Sequence, residues 1–123
     1  MTNTLNGDVK MLQNEFLSQI AQLLADSVNY GLLGTGTTPA TADDGELESP
    51  DEDTVNPIEK TTSGNTVKFV YTLKSTDKNG TFTEFGLKSE SGATGTFIVR
   101  DVFPEITKDS TTDLIIEKTI FIQ

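Results

Sequence analysis

Residues 80–103 constrain what this chain can fold into more than any other stretch. Two runs rich in Thr, Phe, Val and Ile, Thr81–Lys88 and Thr96–Phe103, are joined by Ser91-Gly92-Ala93-Thr94-Gly95. Runs of this kind around a short glycine-containing link predict a β-hairpin. Thr83, Phe85 and Leu87 recur at period two in the first run, and Phe97, Val99 and Phe103 keep the same parity in the second, so each strand should turn an apolar face inward. Gly86 stands mid-strand, where the missing side chain marks a bulge or the close approach of other groups. Glu84 and Arg100 are charges set in apolar strand sequence. Two readings are open: each points to solvent from the polar face, as these residue types usually do, or the two form a pair across strands or between subunits.

The same logic extends along the second half of the chain. Ile58–Thr62, Ser63-Gly64-Asn65 and Thr66–Ser75 read as a further hairpin, with Val67, Phe69, Tyr71 and Leu73 alternating against Lys68, Val70, Thr72 and Lys74. Asp77-Lys78-Asn79-Gly80 is a turn ending in the Asn-Gly pair that tolerates positive φ. Pro104 is expected to stop the strand before it, because proline cannot donate to a ladder. After a polar loop over Thr107–Asp113, Leu114–Ile122 reads as the last strand. Leu114, Ile116, Ile120 and Ile122 share one face and Ile115 and Phe121 the other, which predicts a central strand or one that meets a partner subunit.

The first half differs. Asn6–Val28 is the one helical pattern: Val9, Leu12, Phe16, Ile20, Leu23, Leu24 and Val28 recur at spacings of three and four. Asn6 or Asp8 is the expected N-cap and Gly31 the expected left-handed residue beyond the C-terminus. The helix should cover its own domain's sheet, with its wide apolar face also available to a neighbouring subunit. Tyr30–Gly36 reads as a short strand running into a glycine turn. Gly34-Thr35-Gly36 has neither the Gly-Lys-Ser/Thr ending of a P-loop nor the third glycine of a dinucleotide fingerprint. Thr37–Pro57 reads as a long polar connection, which is uncommon in a compact domain and usually functional. Between residues 31 and 66 there are eight acidic residues against Lys60 alone. Starting from Asp43, Asp44 or Asp51, the order of EF-hand ligands fails. Leu47 is the lone apolar residue able to anchor this loop under the sheet.

The expected architecture is therefore mainly β (α+β): an antiparallel β-sandwich with one N-terminal helix. It forms one domain over residues 1–123, with the helix at about 6–28, the acidic loop at about 37–57 and the sandwich at about 58–123. The chain has no histidine and no cysteine. It thus lacks the commonest general base, the commonest metal ligand and any thiol nucleophile, and no catalytic, cofactor or metal residue is expected. A carboxylate pair such as Glu84 with Asp101 would be the only route to glycosidase-like chemistry. The formal net charge of -10 and the absence of a basic stripe disfavour nucleic acid. No apolar run is long enough to span a bilayer, and the polar N-terminus does not read as a signal peptide.

Taken in order, the helix, Gly34-Thr35-Gly36-Thr37-Thr38-Pro39, the acidic Leu47-Glu48, Thr81-Phe82-Thr83-Glu84-Phe85-Gly86-Leu87, Phe97-Ile98-Val99-Arg100, Phe103–Lys108 and a closing strand form a distinctive layout. It resembles the N-terminal domain of phage tail-collar fibre proteins, and small tail and capsid-surface proteins of tailed viruses, from about residue 30 to 122. The motif residues are Gly34, Gly36, Glu84, Gly86, Leu87 and Arg100. The resemblance implies a virion structural component, made in the host cytoplasm, that acts by assembly: a tail-fibre or baseplate-associated subunit or an adaptor. Capsid-surface decoration or a head fibre is the alternative, and a receptor- or glycan-binding β-domain is the alternative from another class. The partners implied are the chain itself, as a homo-oligomer with a trimer favoured, and other virion proteins, with no membrane and no small-molecule substrate. Leu12, Phe16, Ile20, Leu23, Ile115 and Phe121 are the candidate interface residues. As residues on apolar faces, Phe16 and Phe85 are also expected to carry core packing.

Overall fold

Strand alternation is realised over Thr66–Leu73 and Leu114–Phe121, but in the second run of the hairpin over residues 80–103 a register shift leaves Ile98, Val99 and Phe103 against the core and turns Phe97 to Gly86 and Leu47 instead. In a computed structural model, which describes residues 2–8, 11–92 and 95–123, Glu59–Ser63 and Thr66–Leu73 form a hairpin in unbroken antiparallel register. Its turn places Gly64 at φ 57°, in the left-handed region glycine enters without steric cost. In chain order the elements are α1 (Asn14–Ser27), β1 (Tyr30–Gly34), β2 (Pro50–Pro57), β3 (Glu59–Ser63), β4 (Thr66–Leu73), β5 (Gly80–Lys88), β6 (Phe97–Lys108) and β7 (Leu114–Phe121). They build two antiparallel sheets, one ordered β2-β1-β5-β6 and the other β3-β4-β7. The fold is thus mainly β, with one N-terminal helix beside two sheets.

The core lies between the sheets. From β4, Val67, Phe69, Tyr71 and Leu73 all point inward and are buried; from the facing sheet come Leu33, Phe82, Phe85 and Leu87. The rings of Tyr71 and Phe85 meet edge to face, with centroids 5.3 Å apart at 63°. The Tyr71 hydroxyl donates to the Thr54 carbonyl, and burial pushes its pKa up. Chain passage between the sheets occurs at buried Ile58, whose N–H donates to the Asn29 carbonyl at 3.1 Å. At one end of the molecule Lys108 is buried, and its ammonium lies within 3.4 Å of four neutral oxygens: the carbonyls of Ser75, Asp77 and Asp109 and the Asn79 amide. This ties the β4–β5 turn to the end of β6.

Five expectations are corrected. The helix starts at Asn14, not near Asn6, and its N-cap residue, Gln13, makes no side-chain cap. It ends at extended Val28, and Gly31 is no helix terminus. Gly31 pairs with Leu87 inside β1, where an added Cβ would come within 2.7 Å of the Tyr71 ring. The stretch expected to be loop up to Pro57 contains β2, because residues 50–57 pair with β1. The sheets therefore take in β1, the short strand expected at Tyr30, and β2 as well as the residues from Ile58 onward. A register shift on that pair is filled by buried Thr54, whose hydroxyl accepts from the Leu33 N–H at 2.8 Å. Pro104 does not end its strand. Phe82 pairs with Ile106 and Glu84 with Val102, so Pro104 sits in a bulge of β6, an edge strand, where no ladder partner needs its missing N–H. Likewise β7 is an edge strand, paired only with β4, rather than a central one.

The helix also docks through a different face from the one its large side chains suggest. Leu17, Ala21, Ala25 and Val28 are buried against β3 and β4, while Phe16 is 51 % exposed and Leu23 65 % exposed. Small alanines let the helix axis approach the sheet closely; the bulky stripe is left outside. Lys60 reaches the carbonyl of Val28 at 2.7 Å and holds the helix C-terminus. Truncating Phe16 to Ala should therefore leave stability within about 0.5 kcal/mol of the parent, as for surface substitutions generally. A chemical-denaturation midpoint measured for both proteins checks this.

Candidate functional site

The four central motif residues meet at one buried carboxylate. Glu84 on β5 is fully buried. Its side chain projects from β5 on the same face as that of Arg100, a diagonal neighbour on β6, since Glu84 pairs with Val102 and Gly86 with Arg100. Oε1 of Glu84 accepts from Nε of Arg100 at 2.9 Å and from the Glu48 N–H at 2.9 Å. Oε2 accepts from the N–H groups of Gly36 at 2.7 Å and Ser49 at 2.8 Å. Nη1 of Arg100 continues to Oδ2 of Asp44 at 3.0 Å, and the Arg100 side chain is only 4 % exposed. Of the two open readings for these charges, the pair is the one realised, within a single chain.

What the carboxylate holds is the acidic loop. Gly36, Glu48 and Ser49 lie at its two ends, and Asp44 lies at its middle. The loop also organises itself: Thr41 N–H donates to Asp44 at 2.8 Å, Thr37 N–H donates to Glu48 at 3.1 Å, and the hydroxyl of Thr83 donates to the Gly36 carbonyl at 2.7 Å. Leu47 is buried, and it lies over Gly86 beside Phe97. It is the anchor expected from sequence. The loop thus presents Asp43, Glu46 and Glu48 as exposed groups on a fixed frame, and β2 adds Glu52 and Asp53 beside them.

The glycines are there for space. A Cβ on Gly34 would lie 2.6 Å from Oε2 of Glu84, one on Gly36 2.5 Å from the same oxygen, and one on Gly86 2.7 Å from the Phe97 ring. Contacts below 3 Å force a shift, and at Gly36 the obstacle is a carboxylate fixed by four donors. Gly36→Ala should therefore cost roughly 1–3 kcal/mol, as overpacking does, measured by the thermal midpoint converted at the parent's unfolding entropy.

Electrostatics follow from the same contacts. Burial alone would raise the pKa of Glu84; the Ser49 N–H, the Arg100 guanidinium and the Glu48 and Gly36 N–H groups outweigh it and hold the carboxyl below its ordinary value of 4.5. Asp44 is lowered by the Thr41 N–H and by Arg100, and Glu48 by Thr38 and the Thr37 N–H. A carboxylate lowered on folding adds stability above its unfolded pKa, and that stability is lost as pH falls through the folded value. Stability of the parent should accordingly fall as pH drops below about 4.5. Glu84→Gln should show a shallower acid slope in urea titrations run between neutral pH and the acid limb.

The other candidates lie elsewhere. Leu87 is buried in the core, on the opposite side of β5 from Glu84. Leu12, Phe16, Leu23, Ile115 and Phe121 are exposed and Ile20 is half-buried. Asp101 pairs with Phe85 rather than with Glu84 in register and forms its own ion pair with Lys118 of β7, so the two carboxylates are turned to different faces. Asp44, Thr54 and Lys108 are the residues that sequence reasoning missed. Nothing distinguishes Asp44 from Asp43 in sequence; the alternation of Phe103–Lys108 would not mark Lys108 as buried. No protein-family model and no curated protein matches this chain.

Proposed function

We propose that this protein is a structural subunit of a tailed-virus virion that acts by assembly, as a tail-fibre or baseplate-associated subunit or an adaptor. One observation carries the reading: Gly34, Gly36, Glu84 and Arg100, four of the residues on which the resemblance rests, converge on one buried carboxylate whose two oxygens are both taken up in holding a loop. A carboxylate that accepts four donors within its own chain is a scaffold group, not a reacting one. The large apolar side chains outside the core, on α1 and on the outer face of β7, are the kind of surface that subunits cover. The acidic loop, fixed and exposed, is suited to a basic surface on a second virion protein. Antibody raised against the purified protein and applied to purified virus particles in the electron microscope tests this. Labelling at the tail or baseplate is the expected result, labelling over the capsid selects the decoration role, and particles without label while the cell lysate reacts would sink the proposal.

A further inference from the structure

We infer that Asn79 is a self-modification site, converted by water to aspartate, and that the new carboxylate supplies the buried Lys108 ammonium with an anionic partner. The inference is independent of the assembly reading. Two features left over from the rest of the molecule meet at this point. The first is Lys108, which is only 2 % exposed, although lysine is almost never buried without a charged partner. Among the described residues Lys108 takes part in no ion pair, and the four oxygens that accept from its Nζ are neutral. Oδ1 of Asn79 is the nearest of them, at 3.0 Å. The neighbouring carboxylates are engaged elsewhere: Asp77 accepts from the Lys74 N–H at 2.8 Å, and Asp109 accepts from the N–H and hydroxyl of Thr111.

The second feature is the pair Asn79-Gly80 itself. Neither residue takes the left-handed conformation for which this pair is favoured in turns. The pair does supply a nucleophile next to a thermolabile amide. With no Cβ on Gly80, its backbone nitrogen meets little hindrance in closing on Cγ of Asn79. A bond forms between that nitrogen and Cγ, the bond from Cγ to Nδ2 breaks, and the Gly80 proton leaves with the amide nitrogen as ammonia. A cyclic imide remains. Water then adds at Cγ, the bond from Cγ to the Gly80 nitrogen breaks, the peptide N–H is restored, and the new carboxyl gives its proton to solvent. Water is the only co-reactant, and nothing is oxidised or reduced. Lys108 steers both steps, because an ammonium donating to Oδ1 stabilises the negative charge that develops there. Reopening at Cγ gives aspartate; reopening at the Asn79 backbone carbonyl would route the main chain through the side chain. The product is favoured by the fold. Lys108 is already desolvated, whereas residue 79 is exposed, so the attraction is gained without most of the desolvation cost that usually offsets a buried pair. A charge-assisted bond then fastens the turn before β5 to the end of β6 more strongly than the amide does.

Purified protein incubated at neutral pH and digested with trypsin tests this, since cleavage after Lys78 and Lys88 isolates residues 79–88. Mass spectrometry should find a share of this peptide, rising with incubation time, heavier by the difference between a hydroxyl and an amide NH₂ group. It should co-elute with the synthetic aspartate peptide. A peptide that keeps its asparagine throughout overturns the inference, and so does a product that co-elutes with the iso-aspartate peptide. Asn79→Asp, made directly, should unfold at a higher temperature at neutral pH than freshly purified parent whose peptide is still unconverted. That excess should vanish as pH falls below the ordinary aspartate range, because a carboxylate paired on folding contributes only while it is ionised. A midpoint no higher than the parent's at neutral pH, or an excess that survives acidification, overturns the pairing with Lys108.

Discussion

Glu84→Ala is expected to destabilise the protein by about 3–5 kcal/mol, the cost of breaking a buried ion pair by removing one partner. The substitution strands more than one group. Arg100 keeps a guanidinium whose side chain is only 4 % exposed, with Asp44 as its remaining anionic partner. One of its nitrogens, Nη2, is already buried without a partner. The N–H groups of Gly36, Glu48 and Ser49 lose their acceptor together. The loop from Thr35 to Ser49 should therefore loosen before the sheets do, giving faster proteolysis within residues 37–48 than in the parent. Glu84→Gln keeps the shape but replaces one accepting oxygen by an NH₂ that faces donors, so it should recover only part of the loss. The parallel variant Arg100→Met tests the other partner: it removes the buried cation but leaves three N–H donors on Glu84, and should cost less than Glu84→Ala. Equilibrium urea unfolding of the three variants decides this; equal stabilities for Glu84→Ala and the parent would show that the loop is held by Leu47 and its own turns.

Phe85→Ala should cost a similar amount, about 3–5 kcal/mol, by a different mechanism. Phe85 is fully buried between the sheets, and its ring lies edge to face on Tyr71. Truncation removes that contact and opens a cavity beside Gly31, where an added Cβ would lie 3.1 Å from the Phe85 ring. Little can move in to fill the space, because β1 and β4 are each held by two neighbouring strands. The aromatic pair is worth about 0.5–1.5 kcal/mol beyond buried area, and a double-mutant cycle with Tyr71→Leu isolates it. Loss of the acid slope distinguishes the two large effects: Glu84 variants should change the pH dependence of stability, whereas Phe85→Ala should lower stability evenly across pH.

Much of the scaffold is legible in the chain itself. The period-two alternation of Val67, Phe69, Tyr71 and Leu73 and of Leu114, Ile116 and Ile120 determines which faces are buried, because a strand has only two faces and a one-residue slip would invert them. The Gly64 turn, the hairpin of β5 with β6, the burial of Phe85 and the role of Leu47 as an anchor follow from the same local rules. The gathering of Gly34, Gly36 and Gly86 could be suspected from their setting, but not their reason: each gives way to groups further along the chain, the Ser49 carbonyl and Glu84 at Gly34, Glu48 and Glu84 at Gly36, and Phe97 at Gly86.

Tertiary structure decided the rest wherever a residue's fate depended on a neighbour far along the chain. Pro50–Pro57 has the composition of a loop and became a strand because β1 offered it a partner. Pro104 is tolerated within β6 because that strand lies at an edge, a property of sheet order and not of sequence. A helix carries several faces, and its large side chains suggested the wrong one for docking: Ala21 and Ala25 face the sheet because close approach buries more backbone and more of both elements than a layer of Phe and Leu between them would allow. For the same reason the sequence left Glu84 open between a solvent-facing strand charge and a partner of Arg100. Its solvation is replaced by three N–H groups and a guanidinium brought from 16 to 48 residues away, and only the folded chain supplies them.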